Sequence, residues 1–104
     1  MNFSGVIPIL ITPFKEDGSV DYNSIKKIIN FMNTLPLSGI TLLGVLGESS
    51  RLSEIEKRNI IDFVSTLDNS LPVIYGVNSF SPYVSEELAN YAQEKHASAI
   101  MLSP

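Results

Sequence analysis

The stretch Ile40-Thr41-Leu42-Leu43-Gly44-Val45-Leu46-Gly47-Glu48-Ser49 decides how the chain is read. An apolar run stops at Gly44, passes two side chains, meets Gly47, and then gives a carboxylate and a hydroxyl. A buried strand that opens into a glycine turn ahead of a capped helix sets backbone N–H groups in a concave mouth. Many α/β proteins hold an anion in this way. The same residues also read as an ordinary strand-to-helix turn that needs glycine for its backbone angles. No Gly-Lys-Ser/Thr follows, and the three-glycine dinucleotide spacing is absent, so neither nucleotide fingerprint applies.

Working outward, Gly5 to Ile11 is a continuous apolar run rich in β-branched residues and ended by Thr12-Pro13-Phe14. Such a run reads as a strand buried on both faces of a parallel sheet. Pro8 removes a ladder hydrogen bond, which places part of this strand at a bulge or an edge. After an Asp17-Gly18 turn, Asp21 reads as an N-cap ahead of Tyr22, Ile25, Ile28, Ile29 and Met32 at helical spacing. This helix should stop near Leu35-Pro36. Ile40 to Leu43 is the second strand. Ser53 and Glu56 fit a capping box, and Ile60, Ile61, Val64 and Leu67 carry a second helix to about Asp68-Asn69. Leu71 to Gly76 is a third strand, again closed by glycine. Ser81 and Pro82 open a third helix with Val84, Leu88, Tyr91 and Ala92 on its inner face. Lys95-His96 ends that helix, and Ser98 to Leu102 is a fourth strand.

The order is βαβαβαβ in units of roughly thirty residues, the size of a βαβ building block. Alternation of this kind implies a parallel α/β sheet with right-handed crossovers. An open doubly wound sheet and part of an eight-stranded barrel both satisfy the periodicity. The 104 residues allow one domain, 1–104, and a chain that stops on a fourth strand reads as an incomplete unit.

The composition narrows the function classes. A 44% hydrophobic and 17% charged chain is globular. A net charge of −4 with no basic stripe argues against nucleic acid. The absence of cysteine excludes disulfides, thiolate zinc sites and cysteine nucleophiles, and fits a cytoplasmic protein. The apolar run from Val6 to Ile11 is too short to cross a bilayer, and Met1 to Gly5 carries no signal-peptide pattern, so no membrane partner is expected.

Within the glycine turn, Glu48 reads as a loop-fixing carboxylate that accepts backbone N–H bonds, in preference to a general acid or base. Thr12 either offers a hydroxyl to the same mouth or caps the turn before Pro13. Tyr75 reads as packing and Asn78 as a polar group at the third strand's end. His96, the single histidine, stands where a glycine usually closes a helix, so it reads as a cap at the far end of the strands. No pair of histidines or carboxylates has metal-ligand spacing, and neither metal nor cofactor is expected.

Taken together, Thr12-Pro13-Phe14, Gly44-x-x-Gly47-Glu48-Ser49, Leu52-Ser53-x-x-Glu56, Pro72-Val73-Ile74-x-Gly76 and Ser103-Pro104 resemble the N-terminal part of the dihydrodipicolinate synthase/N-acetylneuraminate lyase family. The resemblance spans essentially the whole chain. It implies the N-terminal half of a (β/α)8 TIM barrel and a class I aldolase reaction, in which a lysine forms a Schiff base with pyruvate or a related 2-oxo acid. A small 2-oxo acid is then the expected partner, and a homo-oligomer the expected state. The resemblance makes Gly44, Val45, Leu46, Gly47 and Glu48, with Thr12, the substrate-binding residues.

The family's loop commonly reads Gly-Thr-Thr-Gly-Glu or Gly-Ser-Thr-Gly-Glu. Here Val45 and Leu46 occupy the two hydroxyl positions, so they bring N–H groups to an anion and no side-chain proton relay. Each missing hydrogen bond to a charged group is worth about 1.5–3 kcal/mol. That favours a divergent 2-oxo-acid lyase, or a dehydratase of sugar acids, over dihydrodipicolinate synthesis. The family's lysine and principal tyrosine lie on later strands. Lys15, Lys26, Lys27, Lys57 and Lys95 fall in loops or on helix surfaces, none at an inward strand position where burial would lower its pKa. No catalytic residue is therefore expected in this chain. A non-catalytic half-barrel that pairs through its open strand edges is the rival reading.

Overall fold

The computed structural model describes residues 5–44, 51–77 and 81–101. In chain order they form α1 (Tyr22–Met32), β1 (Ile40–Leu42), α2 (Glu54–Ser65), β2 (Val73–Gly76), α3 (Pro82–Glu94) and β3 (Ala99–Met101). The strands pair in parallel in the order β1-β2-β3, with Ile40 opposite Val73 and Ile74 opposite Ala99.

Each helix starts where the side chains can satisfy its first N–H groups. The Asp21 carboxylate accepts from the Ser24 N–H at 3.0 Å and from the Ser24 hydroxyl at 2.8 Å. Ser53 and Glu56 form the reciprocal box, with Glu56 N–H to Ser53 Oγ at 3.1 Å and Ser53 N–H to Glu56 Oε1 at 2.9 Å. Ser81 accepts from the Val84 N–H, and Pro82 occupies the first turn of α3. α2 stops at Ser65 with Thr66 as C-cap, a few residues before the expected Asp68-Asn69. The Thr66 hydroxyl bonds back to the Phe63 carbonyl there, which satisfies one of the last carbonyl groups.

The helices pack on one face of the sheet. Leu42 borders a small cavity with Ile25 and Ile28 of α1, and Tyr75 borders a cleft with Val64 of α2 and Leu67 just beyond it. The core between the layers is built from Ile25 and Ile29, Ile60, Ile61 and Val64, Leu88 and Ala92, with Ile40, Leu42 and Tyr75 from the sheet. Burying each of the larger side chains is worth roughly 1.5–3 kcal/mol. Side chains alternate along a strand, so Thr41 and Ile74, a registered pair, project to the other face. No described helix covers that face.

This arrangement separates the two architectures. A doubly wound sheet reverses its strand order and carries helices on both faces. Here the order follows the sequence without reversal, and the helices lie side by side, α1 on α2 and α2 on α3. The fold is the βα progression of a (β/α)8 barrel wall.

The first apolar run departs from its expected form. It bonds to β1 and the residues before it through Ser38 N–H to Val6 O, Thr41 N–H to Pro8 O and Leu10 N–H to Thr41 O, yet among the described residues it makes a single parallel bridge, Ile9 to Thr41. Pro8 has no N–H to donate, so the ladder lacks a rung between those contacts. Nor is the run buried on both faces. Leu10 enters the core, whereas Ile9 and Ile11 are 53% and 68% exposed on the helix-free side.

Candidate functional site at the C-terminal ends of the strands

β1 ends because Leu43 takes a left-handed backbone, with φ of 60°. This is costly for a branched, buried side chain, and such residues persist only where the surroundings over-determine them. The surroundings here are the end of β2. A Cβ placed on Gly76 would lie 2.3 Å from the Leu43 carbonyl oxygen and 2.9 Å from the Gly44 Cα. No side chain fits, so the bare Gly76 backbone is what lets the Leu43–Gly44 turn fold down onto β2.

Gly44 is needed for a different reason from the one its sequence context suggests. Its own φ lies outside the left-handed region, which Leu43 occupies instead. A Cβ on Gly44 would meet Met101 Cε at 2.8 Å and Thr41 Cγ2 at 2.9 Å. The glycine provides space, not backbone freedom. Backbone from β1, β2 and β3 thus converges at the ends of the strands, where Val77 N–H also donates to the Met101 carbonyl at 3.0 Å.

Thr12, at the end of the first run, is 3% exposed and already has a partner. Val45, Leu46, Gly47 and Glu48 lie outside the described residues, as does Asn78. Past that turn, the Arg51 guanidinium sits 4.3 Å from the centroid of the Phe14 ring, tying the segment before α2 to the one after Thr12.

Lys57 departs from the expectation of a surface lysine. It sits in the first turn of α2 and is only 4% exposed, with Nζ 3.0 Å from Glu54 Oε1. Its long stem packs inward while the ammonium keeps its carboxylate. No described lysine lies on a strand, and no described group of histidines and carboxylates is arranged to hold a metal.

Tyr75, read from sequence as packing, is 2% exposed between sheet and helices. Burial, reinforced by the Asp62 charge, pushes its phenol well above the usual range, so it stays protonated at neutral pH. His96 ends α3 as expected. Its φ is 68°, and His96 N–H to Gln93 O (3.1 Å) with Ala97 N–H to Ala92 O (3.0 Å) make a Schellman motif at the far end of the strands.

Sequence reading passed over Leu43, whose left-handed backbone leaves no mark in residue type, and Met101. Gly76 was legible as a strand terminus; its role as the floor beneath Leu43 required the three-dimensional register.

Known proteins bear on this geometry. The dihydrodipicolinate synthetase family profile matches residues 2–104. A 4-hydroxy-tetrahydrodipicolinate synthase of Methanococcoides burtonii is 37% identical over 103 residues, covering 98% of this chain and 35% of the relative. The chain therefore spans about a third of the length of such relatives. Among solved structures, dihydrodipicolinate synthase from Rhodopseudomonas palustris superposes with a TM-score of 0.88 at 30% identity, over 96% of this chain and 33% of that one. N-acetylneuraminate lyase from Mycoplasma synoviae gives a TM-score of 0.86 at 28% identity, over 96% and 35%. With its sequential parallel strands, one-sided helices and the backbone turn closed on Gly76, the chain belongs to the dihydrodipicolinate synthetase family, and its fold is the N-terminal half of that family's TIM barrel.

Proposed function

We propose that the chain supplies the substrate-carboxylate loop of a Schiff-base lyase or aldolase acting on pyruvate or a related 2-oxo acid, and that it does not supply the lysine. The observation that carries this reading is the Leu43–Gly44 backbone pressed onto Gly76 at the C-terminal ends of parallel strands, the end at which barrels of this class build their sites. In sequence the turn is followed by Val45, Leu46, Gly47 and Glu48 and then by α2, and a glycine-bearing stretch between a strand and a helix offers backbone N–H groups that suit a carboxylate. In the reaction, a lysine amine condenses with the substrate's 2-oxo carbon and releases water. The carboxylate held by the loop fixes which face of that carbon the amine meets. None of the lysines described lies on a strand, and Lys57 is committed to Glu54. The nucleophile is assigned to the two thirds of the relatives' length that this chain does not span.

Relatives are named 4-hydroxy-tetrahydrodipicolinate synthase, but Val45 and Leu46 leave the loop without hydroxyls. We therefore favour another 2-oxo-acid lyase or a sugar-acid dehydratase over that synthesis. A cytoplasmic setting and a homo-oligomeric state accompany this reading. Titration with pyruvate, followed by amide NMR, tests it. Saturable shifts are expected at Gly44 and Gly47, with none from acetone, which lacks the carboxylate. The double substitution Val45→Thr/Leu46→Thr should tighten binding by about tenfold or more, the worth of a regained hydrogen bond to a charged group. Equal shifts from acetone, or none from pyruvate, overturn the proposal.

A further inference from the structure

The opposite end of the sheet holds a feature that the carboxylate loop does not use. Between α2 and α3, a cleft of about 170 Å³ opens below the starts of β2 and β3. Val64 and Leu67 give it an apolar wall, and Lys95, His96 and Ser98 stand along it. The Tyr75 side chain also borders the cleft, although the residue is only 2% exposed. Its hydroxyl has no hydrogen-bond partner among the described residues. Buried hydroxyls are nearly always satisfied, so an orphan on a residue that borders a cavity signals a missing acceptor.

Of the charged groups near the cleft, Lys95 favours an anionic acceptor, whereas its partner Asp62, whose charge reaches the Tyr75 phenol, opposes one. The Lys95 ammonium reaches Asp62 at 3.4 Å and has three protons to give, which leaves donor capacity beyond that pair. The Ser65 hydroxyl already donates to the Asp62 carbonyl. The Asp62 carboxylate itself is engaged by the Tyr91 hydroxyl and Lys95, so it is not the group that awaits a donor. The cleft therefore combines a protonated phenol, a cation with spare protons and a hydrocarbon wall. At roughly 30 Å³ per water, its volume corresponds to about five or six water-sized groups.

We propose that this cleft is a second binding site, for a small aliphatic monocarboxylate, whose oxygens accept from the Tyr75 hydroxyl and the Lys95 ammonium while its alkyl part lies against Val64 and Leu67. The site is separate from the Leu43–Gly44 turn, because Val73 begins β2 and Ser98 immediately precedes β3, whereas Gly76 and Met101 end those strands. A ligand there bridges the α3 C-terminus to α2, so its occupancy couples to the stability of the helix layer.

The test is a titration of the whole chain with sodium butyrate at constant ionic strength, read by amide NMR and thermal melting, with 1-butanol as the neutral control. Saturable shifts are expected at Val73, His96 and Ser98, with Gly44 unmoved, together with a butyrate-dependent rise in melting temperature. Tyr75→Phe removes only the orphan hydroxyl. It should leave the melting temperature in plain buffer unchanged or higher and weaken butyrate about tenfold or more. Lys95→Gln should weaken it as well. Failure to saturate, equal shifts from 1-butanol, or full butyrate binding by Tyr75→Phe would each overturn the site. A marked loss of stability in Tyr75→Phe without ligand would also overturn it, since the hydroxyl would then serve the fold through an internal water.

Discussion

The two ends of the parallel sheet each carry a non-glycine residue with left-handed backbone, and they are held there differently. His96, with φ of 68°, closes α3 in a Schellman motif, in which its N–H and that of Ala97 satisfy the last carbonyl groups of the helix. Local hydrogen bonds explain it, and a glycine would do the same work. Leu43, with φ of 60°, follows a strand, where no helix cap calls for the turn. What holds it is tertiary: its side chain is buried and its carbonyl lies over Gly76. The end with local strain is also locked by polar bonds. Asn33 at the C-cap of α1 donates to Asn69 at 2.8 Å and accepts from the Ser70 N–H at 3.0 Å. Strain with a local account belongs to the frame, and strain imposed by neighbouring elements lies at the end where the carboxylate site is proposed.

Several substitutions test that contrast. Gly76→Val should do the most damage, because its Cβ meets a backbone oxygen that cannot move aside. A loss of about 3 kcal/mol or more is expected, at the upper end of overpacking costs, read as a fall in the urea midpoint. Leu43→Gly relieves the backbone but empties a buried position, so a net loss of about 2 kcal/mol is expected, the cavity cost outweighing roughly 1 kcal/mol of strain relief. His96→Gly relieves the same strain at an exposed position and should gain up to about 1 kcal/mol. Opposite signs for one substitution type at nearly equal φ would sharpen the comparison; equal signs would break it.

The smallest effect is a pH dependence at the mouth of α1, remote from both strained residues. The Ser24 N–H, and then its hydroxyl, hold the Asp21 carboxyl below its ordinary value of 3.8. A carboxyl lowered in the folded state stabilises fully above its unfolded value and loses that contribution as pH falls through the folded one. Acid unfolding of Asp21→Asn should accordingly be shallower below about pH 3.8 than that of the parent, with little difference near neutrality.

Most of the frame was legible in the residues. The caps Asp21, Ser53 and Ser81 are read correctly because N-capping is a local interaction, carried by a side chain within three residues of the N–H that it satisfies. The barrel-like order needed more than periodicity, since one-sided helices and unreversed strand order are tertiary facts; only the family resemblance pointed to them. The first run misled in one respect. Its apolar residues read as burial on both sides, yet Ile9 and Ile11 face the side of the sheet that no described helix covers. The Gly44 reading had the right residue and the wrong cause, because the left-handed backbone moved one position upstream to Leu43, where residue type gives no sign of it. Lys57 likewise looks like any helix-surface lysine until its stem is seen buried beside Glu54.

The proposal that the chain holds a 2-oxo-acid carboxylate without carrying the nucleophile meets its most direct test in reductive trapping. The chain is incubated with pyruvate and sodium borohydride, and intact and peptide masses are measured. An unmodified mass is predicted, with Lys15, Lys26, Lys27, Lys57 and Lys95 all unreacted. A clean pyruvate adduct on any one of those lysines would contradict it.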